Sequence, residues 1–403
     1  MEKVAIINSV PWGSTGKIAK GILSNLNKKG YDAVFYYGRG NLNMENSFRF
    51  EYPIEATIHA FFGKLFGILG DLSFIATRRL IKELKNRKVD TVYLLSPHGY
   101  YLHETLFFKY VESYNVHLIY IMIDEYAYLG KCTNAATCDK YKTSCGRCPN
   151  IKKYPPSLFF DTCSHFIKRK AKNYIRTPNT LFVGPKFLLE SSKESYLRPY
   201  MRMAPLDEAI DVELYKPQDA SQILKEYRID EKKIIVLCVA DTTAASKGAH
   251  YFIEMVNLFK DDPHFIFIHI GYHGKHDSKL PTNFIPIPFV DNDVDVAKYY
   301  SMSDVMVFPS VFDTMSNTCL ESLACGTPLI CFNISGMPYL MDETVGTLVE
   351  PKSAVALADA VRAVKKKTKE VVNTCRSYAL RRYDIRNYTD KLIEITLNDE
   401  QRK

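Results

Sequence analysis

No stretch of the 403 residues approaches 18 uncharged apolar positions, so no helix of this chain is expected to span a membrane. Internal repeats and low-complexity tracts are missing too, which excludes solenoid arrays and argues against long disordered segments. The opening apolar run is too short for a secretion signal and reads as a β-strand. A complete P-loop is absent, because Gly13-x-x-Gly16-Lys17 lacks the four-residue spacer between its glycines. Charge of one sign does not dominate. Fifty-three Lys and Arg against 45 Asp and Glu leave +8, a mild bias toward anionic partners such as nucleotides, phospholipids or polyprenyl phosphates. No nucleic-acid partner is expected. Six of the ten cysteines are scattered, so the chain reads as intracellular and reduced.

What is present is the pattern of an α/β protein of about two domains. Short apolar runs at 4–7, 33–37, 91–95, 118–123 and 181–185 read as buried parallel strands alternating with helices. The first strand runs into a glycine-bearing loop and a helix over 18–28. There Gly13 and Gly16 let backbone approach a ligand and the helix start favours an anion. His98 falls just past the strand at 91–95, where open α/β sheets keep their sites. Asp124 lies at the tip of the strand at 118–123. The stretch 54–87 reads as one or two amphipathic helices. Their apolar positions Ile58, Phe61, Phe62, Leu65 and Phe66 suit a core-facing stripe or, with the neighbouring cations, a membrane surface. A second alternation restarts at 233–240, with further strands at 265–271, 284–288, 304–308 and 329–332.

Four cysteines, Cys132, Cys138, Cys145 and Cys148, crowd one polar loop. Three readings stand: a structural zinc, free thiols in a packed loop, or disulfides.

The segment 305–328 holds the densest chemistry. A strand over 305–308 leads to a polar loop, a helix over 317–325 and Gly326 at the C′ position. Asp313 stands ahead of the helix and Glu321 inside it. A strand–loop–helix unit aims free N–H groups at an anion, and two acids beside that anion suit hydroxyl groups. Phosphate next to sugar hydroxyls describes a nucleotide sugar.

The residues Lys247-Gly248, Phe289-Val-Asp-Asn, Tyr300-x-x-x-Asp304, Pro309-Ser310, Asp313-Thr-x-x-Asn317-Thr-Cys-Leu-Glu321 and Gly326-Thr-Pro328 resemble the GT-B glycosyltransferases, specifically the retaining glycosyltransferase family 4. Gly13-Ser-Thr-Gly-Lys-Ile18, His98-Gly-Tyr-Tyr101, Cys138-Asp-Lys-Tyr-Lys-Thr-Ser-Cys145 and Tyr154-Pro-Pro-Ser157 are similar to a capsule and exopolysaccharide subgroup.

The resemblance implies two doubly wound domains. They are expected at 1–205 with 376–403, carrying a Cys-rich loop at 130–150, and at 206–375. It implies transfer of a hexose-type sugar from a UDP- or GDP-sugar to a glycan or polyprenyl-linked acceptor, with no metal in the chemistry. The setting it implies is cytoplasmic, against the anionic inner-membrane face. By the same resemblance Glu321 binds ribose hydroxyls and Asp313 meets the transferred sugar. Lys247 faces the donor phosphates, and backbone near Met315, Ser316, Asn317 and Thr318 holds phosphate or sugar oxygens. Gly13 and Gly16 lie against the donor. Ile123-Asp124 stands where the subgroup has His-Asp, so His98 or Asp124 takes that role. The alternative reading is a non-catalytic nucleotide-sugar-binding partner subunit.

Overall fold

The computed structural model describes residues 2–135, 138–152, 154–274 and 280–401. The chain divides into two compact units, residues 1–208 with 388–403 and residues 209–387.

The first unit is a seven-stranded parallel sheet with helices between its strands. Its strands are β1 (Lys3–Asn8), β2 (Asp32–Tyr37), β3 (Ser47–Arg49), β4 (Thr91–Leu94), β5 (His117–Ile121), β6 (Leu181–Gly184) and β7 (Arg202–Pro205). They lie in the order β3-β2-β1-β4-β5-β6-β7. The reversal between β1 and β4 is a topological switch point, where open sheets open a crevice at the carboxyl ends of their strands. The connecting helices are α1 (Gly13–Lys28), α2 (Pro53–Phe66), α3 (Phe74–Arg87), α4 (Glu104–Ser113), α5 (Cys163–Arg176) and α6 (Lys186–Ser192). β1 is buried almost throughout because it is paired and covered on every side. β7 is a short edge strand ending in Pro205, beyond the strand at 181–184 where the sequence pattern runs out. Proline is tolerated at such an edge.

The second unit repeats the plan with six strands. They are β8 (Ile234–Val239), β9 (Phe265–Ile270), β10 (Phe284–Ile287), β11 (Val305–Phe308), β12 (Leu329–Phe332) and β13 (Gly346–Val349), ordered β10-β9-β8-β11-β12-β13 and all parallel. Its helices are α7 (Ser221–Glu226), α8 (Ala249–Asn257), α9 (Asp293–Met302), α10 (Asn317–Ala324), α11 (Met337–Leu340), α12 (Ala354–Arg362) and α13 (Lys369–Tyr383). Successive residues of one strand enter opposite cores. Met306 and Phe308 of β11 join one cluster, and Val305 and Val307 join the other. This alternation is why the strands carry apolar residues at every position.

The last helix, α14 (Ile385–Glu400), returns to the first unit. The contact boundary falls at 388. The sequence reading places it at 376, inside α13, but Tyr378, Ala379 and Tyr383 are buried in the core of the second unit. Among the described residues no helix is long and apolar enough to cross a membrane.

Candidate functional site

In the second unit the β11–α10 connection and the loop after β8 are locked together. Gly248 has φ +65°, and a Cβ there would stand 1.9 Å from the Pro309 carbonyl oxygen, so only glycine fits. The Ser310 hydroxyl and the Val311 N–H both donate to the Ser246 carbonyl, each at 2.9 Å. Gly336 N–H donates to the Asp313 carbonyl at 3.0 Å, which fixes the Asp313 loop from its other side.

These contacts bring Lys247 and Asp313, 66 positions apart, into one ion pair, Nζ to Oδ2 2.6 Å. Asp313 is nearly buried, whereas Lys247 is 40% exposed and lies 5.9 Å from the centre of the Phe308 ring. The ammonium therefore keeps an open side for an anion. α10 begins one turn beyond Asp313. Its N-cap Ser316 makes no side-chain capping bond and instead pairs its hydroxyl with that of Thr318 at 2.8 Å. The first turn of any helix presents N–H groups without intrahelical partners. No acid stands in that first turn. Met315 is buried, and Asn317 is part-exposed at the first helical position.

Glu321 lies one turn further in and is buried. The Tyr300 hydroxyl donates to its Oε2 at 3.0 Å. The Tyr215 hydroxyl, which donates to Asp293 Oδ1 at 2.9 Å, also faces Glu321. Burial first, then the Glu321 carboxylate, raises both phenols far above their ordinary range, so they remain donors at any physiological pH. Tyr300 is legible in sequence through its spacing to Asp304. Tyr215 carries no such signal. Asp304 itself is a clamp: it is buried and accepts from Ile235 N–H (2.8 Å), Lys366 Nζ (2.9 Å) and Lys367 N–H (2.8 Å).

In the first unit the structure brings His98 and Asp124 together. His98 Nε2 lies 2.8 Å from Asp124 Oδ2 and 3.1 Å from the Ser96 hydroxyl. Asp124 Oδ1 accepts the Tyr126 N–H at 2.9 Å, which fixes the carboxylate. With the carboxylate accepting at Nε2, the lone pair of a neutral ring sits on Nδ1, facing the Tyr154 hydroxyl at 3.5 Å. Beneath lies a buried network. The Tyr126 hydroxyl donates to Glu104, and Lys170 Nζ donates to the carbonyls of Tyr126, Leu129 (3.0 Å) and Gly130 (2.9 Å).

Gly13 and Gly16 open α1, which starts five residues earlier than the expected 18–28 helix. A Cβ at Gly13 would meet open space. At Gly16 it would stand 2.4 Å from the Pro11 carbonyl carbon, so packing already requires that glycine.

The Cys-rich loop draws in a cysteine from outside it. Cys132 and Cys148 contact each other and Cys163, a fifth cysteine at the start of α5. Cys138 and Cys145 line one small cavity with that trio. Among the described residues no group of three or more His, Cys, Asp or Glu side chains is arranged to hold a metal ion. All ten cysteines are free thiols. Bonds from Cys132 and Cys163 hold the Cys148 thiol well below the usual range.

Known proteins share this fold. Over its whole length the chain superposes on sucrose-phosphate synthase from Thermosynechococcus elongatus, with a TM-score of 0.67, 13% identity and 100% of each chain covered. It also superposes on HepE of Anabaena in complex with UDP-glucose, with a TM-score of 0.65, 12% identity, and 99% and 100% covered. The fold is GT-B. Residues 233–366 match the model of the family described as glycosyl transferases group 1, a span that holds Lys247, Asp313 and Glu321. Curated relatives align more locally. A D-inositol 3-phosphate glycosyltransferase of Saccharomonospora viridis is 29% identical over 117 residues, covering 28% of this chain and 26% of the relative. A UDP-Gal:alpha-D-GlcNAc-diphosphoundecaprenol alpha-1,3-galactosyltransferase of Escherichia coli is 24% identical over 222 residues, covering 51% and 56%. The chain thus spans from about a quarter to just over half of the lengths of these two relatives.

Proposed function

We propose that this chain is a retaining glycosyltransferase of family 4, acting in capsule or exopolysaccharide assembly. It moves a hexose-type sugar from a nucleoside diphosphate to a lipid-linked glycan. The observation that carries this is the Lys247–Asp313 pair at 2.6 Å, just ahead of the helix that holds the buried Glu321. A part-exposed cation beside a helix start suits a diphosphate, and a buried carboxylate held by tyrosine hydroxyls suits a ribose diol. The GT-B fold and the match over 233–366 support the reading.

In the proposed cycle the donor diphosphate lies against Lys247 and the N–H groups around Ser316, Asn317 and Thr318. Charge that grows on the leaving diphosphate as the glycosidic bond breaks is met by the ammonium and the helix start. These fixed groups supply what a divalent cation supplies elsewhere. Asp313 orients the ammonium and meets the sugar. His98, oriented by Asp124, offers Nδ1 to a hydroxyl on the acceptor side. A polyprenyl acceptor places the enzyme on the anionic cytoplasmic face of a membrane. UDP-glucose in HepE and the undecaprenyl-linked acceptor of the E. coli relative favour UDP-sugars and such acceptors here.

The test is nucleoside-diphosphate release from a panel of UDP- and GDP-sugars with polyprenyl-linked acceptors. Wild type should release diphosphate with one donor, and Lys247→Ala should lower the rate by about ten- to a hundredfold, the loss of one charge-assisted contact of about 1.5–3 kcal/mol. Equal rates for the two would remove Lys247 from the chemistry. A folded wild type without turnover on any donor would remove the activity.

A further inference from the structure

α2 is turned inside out. Of its 14 residues only His59 and Gly63 are buried, while Ile54 is 76%, Phe61 59% and Phe159 of a neighbouring loop 68% exposed. The patch is continuous. Phe61 packs on Phe62 at 5.4 Å, Phe62 on Phe66 at 5.9 Å, and Phe66 on Phe160 at 6.0 Å. The loop is tied to the helix by backbone bonds from Leu158 N–H to the Lys64 carbonyl (2.9 Å) and from Phe159 N–H to the Leu65 carbonyl (3.1 Å). Exposed apolar patches of this kind mark interaction sites rather than ordinary surface.

The charge around the patch selects the partner. Residues 52–88 carry seven Lys and Arg against three acids, half of the net charge of the whole chain. Arg78 lies 4.0 Å over the exposed Phe74 ring, and Arg79 lies 5.2 Å over the exposed Tyr52 ring. Lys64 projects from α2 itself, exposed. The nearby acids are committed inward. Glu55 accepts the Ile75 and Ala76 N–H groups at 2.8 and 2.9 Å, and Asp71 pairs with Arg169 at 2.6 Å. Asp161 accepts the Cys148 and Cys163 N–H groups at 2.7 and 3.0 Å. A second copy of this chain would set cation against cation. An anionic lipid surface offers apolar depth to the rings and phosphates to the cations.

We infer that α2 and the 158–160 loop form a membrane-docking face that inserts its aromatic side chains into an anionic phospholipid surface. This deepens the lipid-linked-acceptor reading by naming the surface that meets the membrane. Its test involves no sugar donor, so the two can fail separately.

The experiment is vesicle co-sedimentation of the full chain with phosphatidylcholine alone and with about 30% phosphatidylglycerol added. Wild type should bind the anionic vesicles at least about tenfold more tightly than the neutral ones. The double variant Phe61→Ser/Phe159→Ser should lose about tenfold or more of that binding with an unchanged melting temperature, since both rings are exposed. Lys64→Glu/Arg78→Glu should abolish the preference for anionic lipid. Wild type that stays unbound with both vesicle types overturns the proposal. So do variants that bind as wild type does, and so does a dimer in solution that the double serine variant dissolves, because the face would then belong to a second copy.

Discussion

At the scale of single residues, the proposed cycle divides its work among Lys247, Asp313 and Glu321. Lys247 and Asp313 form the part-exposed polar end of the site, and Glu321 is the buried end. Glu321→Gln keeps the shape but loses an ionised acceptor, so donor KM should rise about tenfold or more, by the value of a charge-assisted bond. Tyr300→Phe should raise donor KM by a smaller factor and leave kcat near wild type, because its hydroxyl reaches the donor only through Glu321. A comparison of steady-state parameters for the two variants separates these outcomes. His98→Ala should lower kcat by about a hundredfold while donor binding, read by calorimetry, stays unchanged. The strand–loop–helix unit that carries Asp313 and Glu321 was legible because an apolar strand, a polar loop and a Gly-terminated helix follow one another at 305–326. Tyr215 was not, since nothing in its neighbourhood marks it before the fold brings it to Glu321 and Asp293. Cys163 was missed likewise. It lies 15 residues past Cys148 and outside any metal-like spacing, yet its sulfur joins Cys132 and Cys148.

At the scale of elements, α2 shows where periodicity stops informing. Its apolar spacing predicts a helix correctly but does not say whether the stripe faces core or solvent. Only packing decides that, and the helix buries His59 instead. His59 Nε2 accepts the Gly70 N–H at 3.1 Å, and Nδ1 lies 2.6 Å from the Ser73 hydroxyl, so the neutral ring is fully paired. Burial lowers its pKa to about 4. The unfolded chain binds a proton near pH 6.5 and the folded one does not until about 4, so stability is full above 6.5 and falls as pH drops through that window. The loss approaches about 3 kcal/mol by pH 4, and urea unfolding of wild type against His59→Gln should show the flatter pH dependence in the variant. A second element-level test concerns the joint between β8 and β11. Gly248→Ala sets a methyl group against the Pro309 carbonyl at positive φ. It should lower the stability of the second unit by about 2 kcal/mol or more, seen as a lower melting transition in calorimetry.

At the scale of the whole molecule, two doubly wound sheets were legible because fully buried parallel strands leave continuous apolar runs. Of the four edge strands only β10 was. β3, β7 and β13 pair on one side only and include exposed or polar positions, so their signal sinks into the connecting segments. α13 carries a stripe that reads as a return to the first unit, but Tyr378 and Tyr383 fill the second core and the return waits for α14. The sheets have the GT-B plan, the family match spans 233–366, and the Lys247–Asp313 pair and Glu321 lie within that span. The most direct test is transfer from an isotope-labelled UDP-sugar to a polyprenyl-linked acceptor, followed by NMR of the product. The account predicts one new glycosidic bond with the anomeric configuration of the donor retained, lost in Lys247→Ala. An inverted product, or no product from folded protein with any donor on the panel, would contradict it.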